Sequence, residues 1–211
     1  MLNLVSFDKS DSKRLENSYN ALNKKNEILI INEGIEFDTI YSQTIENIKI
    51  PNNAIFKFQN LFKLKSESGY FYIAQCLADF GYPPGTKGAQ TFQRKYSYQI
   101  IGIANIKIDL GITHLRPKTK IDRLINKLLK NYIVLNEQEK FNEKYYLKSN
   151  KENEVVKFFD KVFINTIMKY DDVLLRINQK QIYISIAQEF NTNHTRIIQD
   201  ILSHIKYLQD E

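Results

Sequence analysis

Cysteine is nearly absent: Cys76 stands alone, which excludes an internal disulfide and a multi-cysteine zinc site. The run YFYIAQCLADF around it reads as a buried strand, so Cys76 is expected to be an inert core thiol. Glycine and proline are scarce, at 7 and 4 residues, which argues against long disordered tracts. No apolar run approaches the ~20 residues that span a bilayer. The start, MLNLVSFDKSDSKR, lacks a basic segment followed by an apolar one. These absences predict a soluble, cytoplasmic protein. Internal repeats and low-complexity linkers are missing as well.

Several chemical signatures are also missing. ADFGYPPGTKGAQTFQRKYSYQII, residues 78–101, places a Pro-Gly loop between two β-like segments. A phosphate cradle needs a Gly-rich loop ending in Gly-Lys-Ser/Thr at a helix start. Here Thr86 stands where that motif requires Gly, Lys87 precedes Gly88, and the following segment reads as a strand. The expected role is a hairpin corner, stiffened by Pro83 and Pro84 and turned by Gly85 and Gly88. GxGxxG, HExxH and GxSxG do not occur. No cofactor and no metal are expected.

What is present is a core and a basic excess. The 211 residues suit one domain or one domain with an appendage, and hydrophobic residues, 43% of the chain, are enough for a core. The net charge of +6, with pI ≈ 9.1, admits nucleic acid, anionic lipid or acidic protein partners. Residues 10–26 read as a helix with Leu15, Tyr19 and Leu22 on one stripe and Ser10 or Asp11 as cap. A short strand follows at 27–31. Residues 35–50 are ambiguous, with strand character around IKI.

From Ala54 the pattern turns to β. Phe56, Phe58, Phe62 and Leu64 recur at period two, with an irregularity around Asn60. SESG at 66–69 reads as a turn, and strands follow at 70–80 and 90–104, then extended segments to Pro117. Residues 119–132 carry a full amphipathic face, with Thr119 and Asp122 forming a capping box. Residues 140–149 read as a strand and 153–170 as one buried helix. Residues 172–187 read as a hairpin around Asn178–Lys180, and 191–208 as a final helix.

The fold class is α+β: an antiparallel sheet with helices packed mainly on one face, in the order α-β(n)-α-β-α-β-β-α. Residues 1–53 are expected to form an N-terminal helix and short strands packed on the main domain, 54–211.

The ordered pattern DFGY…G…QTF…HLRPKTKIDRL…KFNEKYYLKS resembles an uncharacterised bacterial domain family. The matching positions are Asp79, Phe80 and Tyr82; Gly85; Gln90 and Thr91; Leu115, Arg116 and Pro117; and Phe141, Tyr145 and Leu147. Lys118 and Asn142 depart from the family pattern, where an acid and a Ser are usual. The likeness covers roughly residues 58–208. It implies a shared fold, in members that often stand beside a membrane anchor. No activity is established for the family, so it supplies no catalytic residues.

Candidate sites follow from residue type. Asp79, His114 and Arg116 are a candidate polar cluster at strand ends. His204 stands four residues after Asp200, a helix-surface pair rather than a metal site. Asp171-Asp172 and Glu137, Glu139 and Glu143 read as turn and edge carboxylates. The basic lead is Lys118, Lys120, Arg123, Lys127 and Lys130 on one helix, with Arg94 and Lys95 beside Tyr96 and Tyr98 on a strand. Two functions are weighed. The first is a non-catalytic protein-binding module with an accessory or immunity-like role, in which aromatics serve an interface. The alternative is a nucleic-acid-binding protein using helix 118–130 and strand 94–98. An enzyme built on Asp79, His114 and Arg116 is a third, weaker expectation.

Overall fold

The computed structural model describes residues 9–23, 27–47, 55–66, 69–79, 96–125, 132–188 and 191–205. The strands are β1 (Ile28–Ile31), β2 (Ile55–Ser66), β3 (Gly69–Asp79), β4 (Tyr96–Asn105), β5 (Ile112–Pro117), β6 (Tyr145–Ser149), β7 (Val173–Asn178) and β8 (Gln181–Ile186). The helices are α1 (Lys9–Asn23), α2 (Ile35–Asn47), α3 (Lys120–Ile125), α4 (Glu139–Lys144), α5 (Glu152–Phe158), α6 (Lys161–Met168) and α7 (Asn193–Ser203). All eight strands form one antiparallel sheet in the order β1-β2-β3-β4-β8-β7-β5-β6. The protein is α+β. Because β1 pairs with β2, the N-terminal region shares the sheet of the main body.

Strand alternation sorts side chains onto two faces. The first face is apolar along its whole width. It carries Phe62, Leu64, Ile73, Ile100, Leu115, Leu147, Leu175 and Ile184, packed with residues of α1, α4, α5, α6 and α7. Each fully buried Leu, Ile or Phe here contributes about 1.5–3 kcal/mol. Phe141, Phe158, Phe159 and Phe163 add a tilted and edge-on ring cluster under α4–α6, with neighbouring centroids 5.3–6.1 Å apart. The second face has a smaller core of Phe56, Leu61, Tyr72, Ala74, Cys76, Ile101 and Ile103, covered by Phe37, Ile40 and Ile45 of α2. Cys76 is fully buried there, and burial pushes its thiol pKa well up.

The irregularity around Asn60 is a β-bulge between Phe58 and Asn60. It reverses the alternation, so Phe56 and Phe58 face α2 while Phe62 and Leu64 face the first core. Asn60 itself turns to the first face, where its amide donates to Gln75 Oε1 at 2.8 Å between two buried side chains.

Several expected elements are corrected. Of the ambiguous 35–50 segment, Ile35–Asn47 is the helix α2, on which Phe37 and Tyr41 meet Phe58 as a ring cluster, while the IKI stretch at 48–50 lies outside the described residues. The 140–149 segment begins as α4 and becomes β6 only at Tyr145, which puts Phe141 and Tyr145 side by side at 5.3 Å. The 153–170 segment is two helices: Asp160 ends one and caps the next, its carboxylate accepting from Phe163 N–H at 2.8 Å. Ser10 and Asp11 lie within α1 rather than at its cap. The 80–95 segment, with the Pro-Gly loop and residues 90–95 of the expected long strand, lies outside the described residues; its flanks Asp79 and Tyr96 are paired neighbours. Beyond Ile125 the expected helix to Tyr132 likewise leaves the described residues at 126–131.

Helix α7 sits close against the sheet at Gly102. A Cβ there would meet Leu202 Cδ1 at 2.7 Å and Ile198 Cγ2 closer still. Gly102→Ala is expected to destabilise the protein by about 1–3 kcal/mol, and Gly102→Val by more, since the crowded atoms are the buried stripe of α7. Urea unfolding measures this; an unchanged midpoint for both variants would show that α7 packs elsewhere.

Candidate binding face

One row of side chains crosses the second face through all eight strands: Leu29, Lys63, Tyr72, Ile103, Tyr183, Arg176, His114 and Lys148. Helix α2 divides this row into two halves. Over β2–β4 the row is closed, whereas Leu29 on β1 stays exposed. Glu36 in the first turn of α2 accepts from Tyr72 OH (2.6 Å) and Lys63 Nζ (2.9 Å) through one oxygen. These partners outweigh desolvation and hold the Glu36 carboxyl below its ordinary range.

The C-terminal end of α2 stops over β7–β8. Asn47 donates to Tyr183 OH (3.2 Å) and accepts from Asn178 (2.6 Å), while Gln181 donates to Gln43 Oε1 (2.6 Å). Arg176 Nη1 donates to the Asn47 carbonyl at 3.2 Å, a cation at the negative end of the helix. Burial pushes the Tyr183 phenol up to about 12, so it acts as a neutral donor.

Beyond that point the second face of β5, β6 and β7 is open. Their first-face residues Thr113, Leu115, Tyr145, Leu147, Val173, Leu175 and Ile177 are buried, whereas Ile112, His114, Arg116, Tyr146, Lys148, Leu174, Arg176 and Asn178 are not. No carboxylate stands among those second-face positions. Two cation–ring pairs are built there. Arg116 lies over the Tyr146 ring at 4.6 Å, and Lys118 over the Tyr132 ring at 4.2 Å, with the two rings 6.0 Å apart.

Arg116 is held from the other side by Asp122, which accepts from Nη1 and Nη2 at 2.5 and 2.6 Å. The same carboxylate accepts from Thr119 N–H, and Asp122 N–H donates back to Thr119 Oγ1, completing the capping box of α3. The Arg116 hydrogen bonds, ahead of those from Thr119, hold the Asp122 carboxyl far below the usual carboxylate range. They also raise the Arg116 pKa.

The expected site residues therefore separate. His114 and Arg116 share the open face on β5. Asp79 lies at the end of β3, four inter-strand spacings away, about 19 Å across the sheet, and seven residues further along the strand direction than Tyr72, which is level with His114. The cause is topological: the β7–β8 hairpin inserts between β4 and β5. Lys118 joins the face through Tyr132, and Lys120 is exposed at the start of α3. Arg123 lies on α3 with its side chain outside the described residues, as are Arg94, Lys95, Lys127 and Lys130. Arg176, Tyr146 and Tyr132 escaped the sequence reading. The alternation of VLLRIN placed Arg176 opposite the apolar side of β7, which was the available signal.

Elsewhere, a groove of about 490 Å³ runs along α7 between Tyr170, Arg196 and Asp200. Tyr170 OH donates to Asp200 Oδ2 at 2.7 Å, and His204 Nδ1 lies 2.7 Å from the Asp200 carbonyl oxygen and 3.8 Å from its carboxylate. The expected His204–Asp200 pair is thus mainly a side-chain contact to the helix end. His194 is buried, with Nε2 3.0 Å from Asn191 Nδ2, and burial lowers its pKa. Among the described residues no group of three or more His, Cys, Asp or Glu could hold a metal ion, and no helix is long and apolar enough to cross a membrane.

Asp122 links this face to acid stability. Its folded pKa is depressed, so its contribution is present above the unfolded value of ~3.9 and is lost as pH falls toward the folded one. Asp122→Asn is expected to cost about 1 kcal/mol near neutral pH, after allowing for the solvent exposure of Arg116. That gap should narrow below about pH 4; a constant gap from pH 7 to pH 2.5 in urea titrations would contradict the assignment. Compared with protein-family models, with curated proteins and with solved structures, the chain finds no match in any of the three.

Proposed function

We propose that the protein is a non-catalytic binding module that docks a protein partner on the open second face of β5, β6 and β7. One observation carries this reading. The same strands are closed on their first face, yet on the second they present cations, tyrosines and the exposed Ile112 in fixed positions, and among the described residues α2 reaches them only through the Asn47 bonds to Arg176 and Asn178. A rigid sheet surface with pre-set aromatic and basic groups loses little side-chain entropy on binding. Tyr and Arg are the residue types that anchor protein interfaces.

Nucleic acid is the second reading, favoured by the basic–aromatic pairs Arg116–Tyr146 and Lys118–Tyr132. Base stacking needs a free ring face. In each pair a cation already lies over one face of the ring, which favours a protein partner.

The double variant Ile112→Glu, Lys148→Glu tests the proposal, because both side chains are exposed and the fold does not rest on them. Wild-type protein is expected to retain a stoichiometric protein from native cell extract, and the double variant is expected to lose it. Equal retention by both, or no stoichiometric protein on either, would overturn the reading. Anisotropy with a 20-nucleotide oligo(dT) is the companion measurement. Tight binding that falls steeply with salt and disappears in the variant would put nucleic acid in place of the protein.

A further inference from the structure

The open face contains a charge that the fold leaves short of partners. Arg176 is half-buried in the middle of the cross-sheet row, between Tyr183 and His114. A guanidinium offers five N–H donors in a planar fork. Only Nη1 is used, on the uncharged Asn47 carbonyl. No carboxylate pairs with it among the described residues, and Glu46, near enough to raise the Tyr183 pKa, forms no ion pair with it. Desolvation without a compensating anion lowers the Arg176 pKa, the reverse of Arg116 beside Asp122. Half-buried arginines are ordinarily paired, because an uncompensated charge out of water is costly.

Lys148, two strands away at about 10 Å, is exposed and makes no ion pair among the described residues, and His114 stands between the two. The Asp122 carboxylate at this face is occupied by Arg116 and the α3 cap.

We propose that Arg176 is the anchor for a carboxylate of an acidic protein segment laid across β5–β8, with Lys148 flanking it. This inference rests on the docking face proposed above and names the chemistry of its occupant. The segment's carboxylate takes the unused edge of the guanidinium as a bidentate acceptor. Nη1 keeps its bond to the end of α2, so docking is accommodated without moving the helix. Lys148 adds attraction at longer range, screened by salt.

The probe is a fluorescein-labelled peptide of alternating Glu and Ser, twelve residues long by design, with a Gln/Ser peptide of the same length and 20-nucleotide oligo(dT) beside it. Anisotropy titrations use the full chain. The Glu/Ser peptide is expected to bind and the Gln/Ser peptide not. Arg176→Lys, which keeps the charge and a donor for Asn47 but loses the fork, is expected to weaken binding about tenfold. Lys148→Gln is expected to weaken it about two- to threefold and to leave the thermal midpoint unchanged. If Arg176→Lys unfolds more easily than wild type, the Lys148→Gln result and the Glu-against-Gln comparison still decide. Equal binding of both peptides, undiminished binding by Arg176→Lys and Lys148→Gln, or tighter binding of oligo(dT) at the same residues would overturn the inference. A protein partner retained through Ile112 and Lys148 while the acidic peptide fails would remove this inference and leave the docking face standing.

Discussion

The pairing of β4 with β8 is the constraint on which the rest depends. It joins two antiparallel halves, β1–β4 and β5–β8, through only four residue pairs, from Gly102–Ile184 to Asn105–Gln181. So short a seam needs support from a neighbouring layer. Helix α7 supplies it by lying against β3, β4 and β8, with Ile198 and Leu202 pressed onto Gly102. The Asn105 end of the seam is held too: Ile106 N–H donates to the Lys180 carbonyl, and Leu110 N–H to that of Gln179, whose backbone is left-handed. With the seam fixed, the second-face row runs unbroken from Leu29 to Lys148.

That continuity explains how the two halves of the second face come to differ. Helix α2 is long enough to cover β2–β4 and ends over β7–β8, where Asn47, Gln43, Tyr183 and Arg176 tie it down through polar bonds. The covered half is aromatic and aliphatic because it excludes water. The half beyond the helix end has no such requirement, and its strands alternate buried with half-exposed residues, as a one-sided antiparallel sheet does. The basic and aromatic groups there are not a loose solvated fringe. Arg116 is clamped between Asp122 and Tyr146, and Lys118 donates to the Asn142 carbonyl while lying over Tyr132. Arg176 serves the end of α2 with one nitrogen and makes no ion pair among the described residues. A surface ordered before any partner arrives is the physical basis for reading it as a docking face.

Some of this was legible residue by residue. The Thr119–Asp122 capping box appears as its spacing implies, because both halves of the motif lie within one turn. The hairpin at Asn178–Lys180 follows from alternation on both sides of a polar pair, and the burial of Cys76 from its apolar run. Local signals failed where a distant partner set the outcome. Helix α2 lays Phe37, Ile40 and Ile45 over Phe56, Phe58 and Tyr72, partners far away in the chain or across the sheet. Phe141 reads equally well as strand or helix until α5 and α6 bring Phe158, Phe159 and Phe163 around it. Asp79, His114 and Arg116 looked like neighbours only because strand order is invisible along the chain.

By itself, the amino-acid sequence determined the class of the protein, the apolar side of most strands and the basic excess, since periodicity and charge are local properties of the chain. Only the tertiary structure decided which cations share a face. The insertion of β7–β8 between β4 and β5 carried Arg176 next to His114 and moved Asp79 away, and strand order is settled by long-range backbone pairing that no short stretch of sequence encodes.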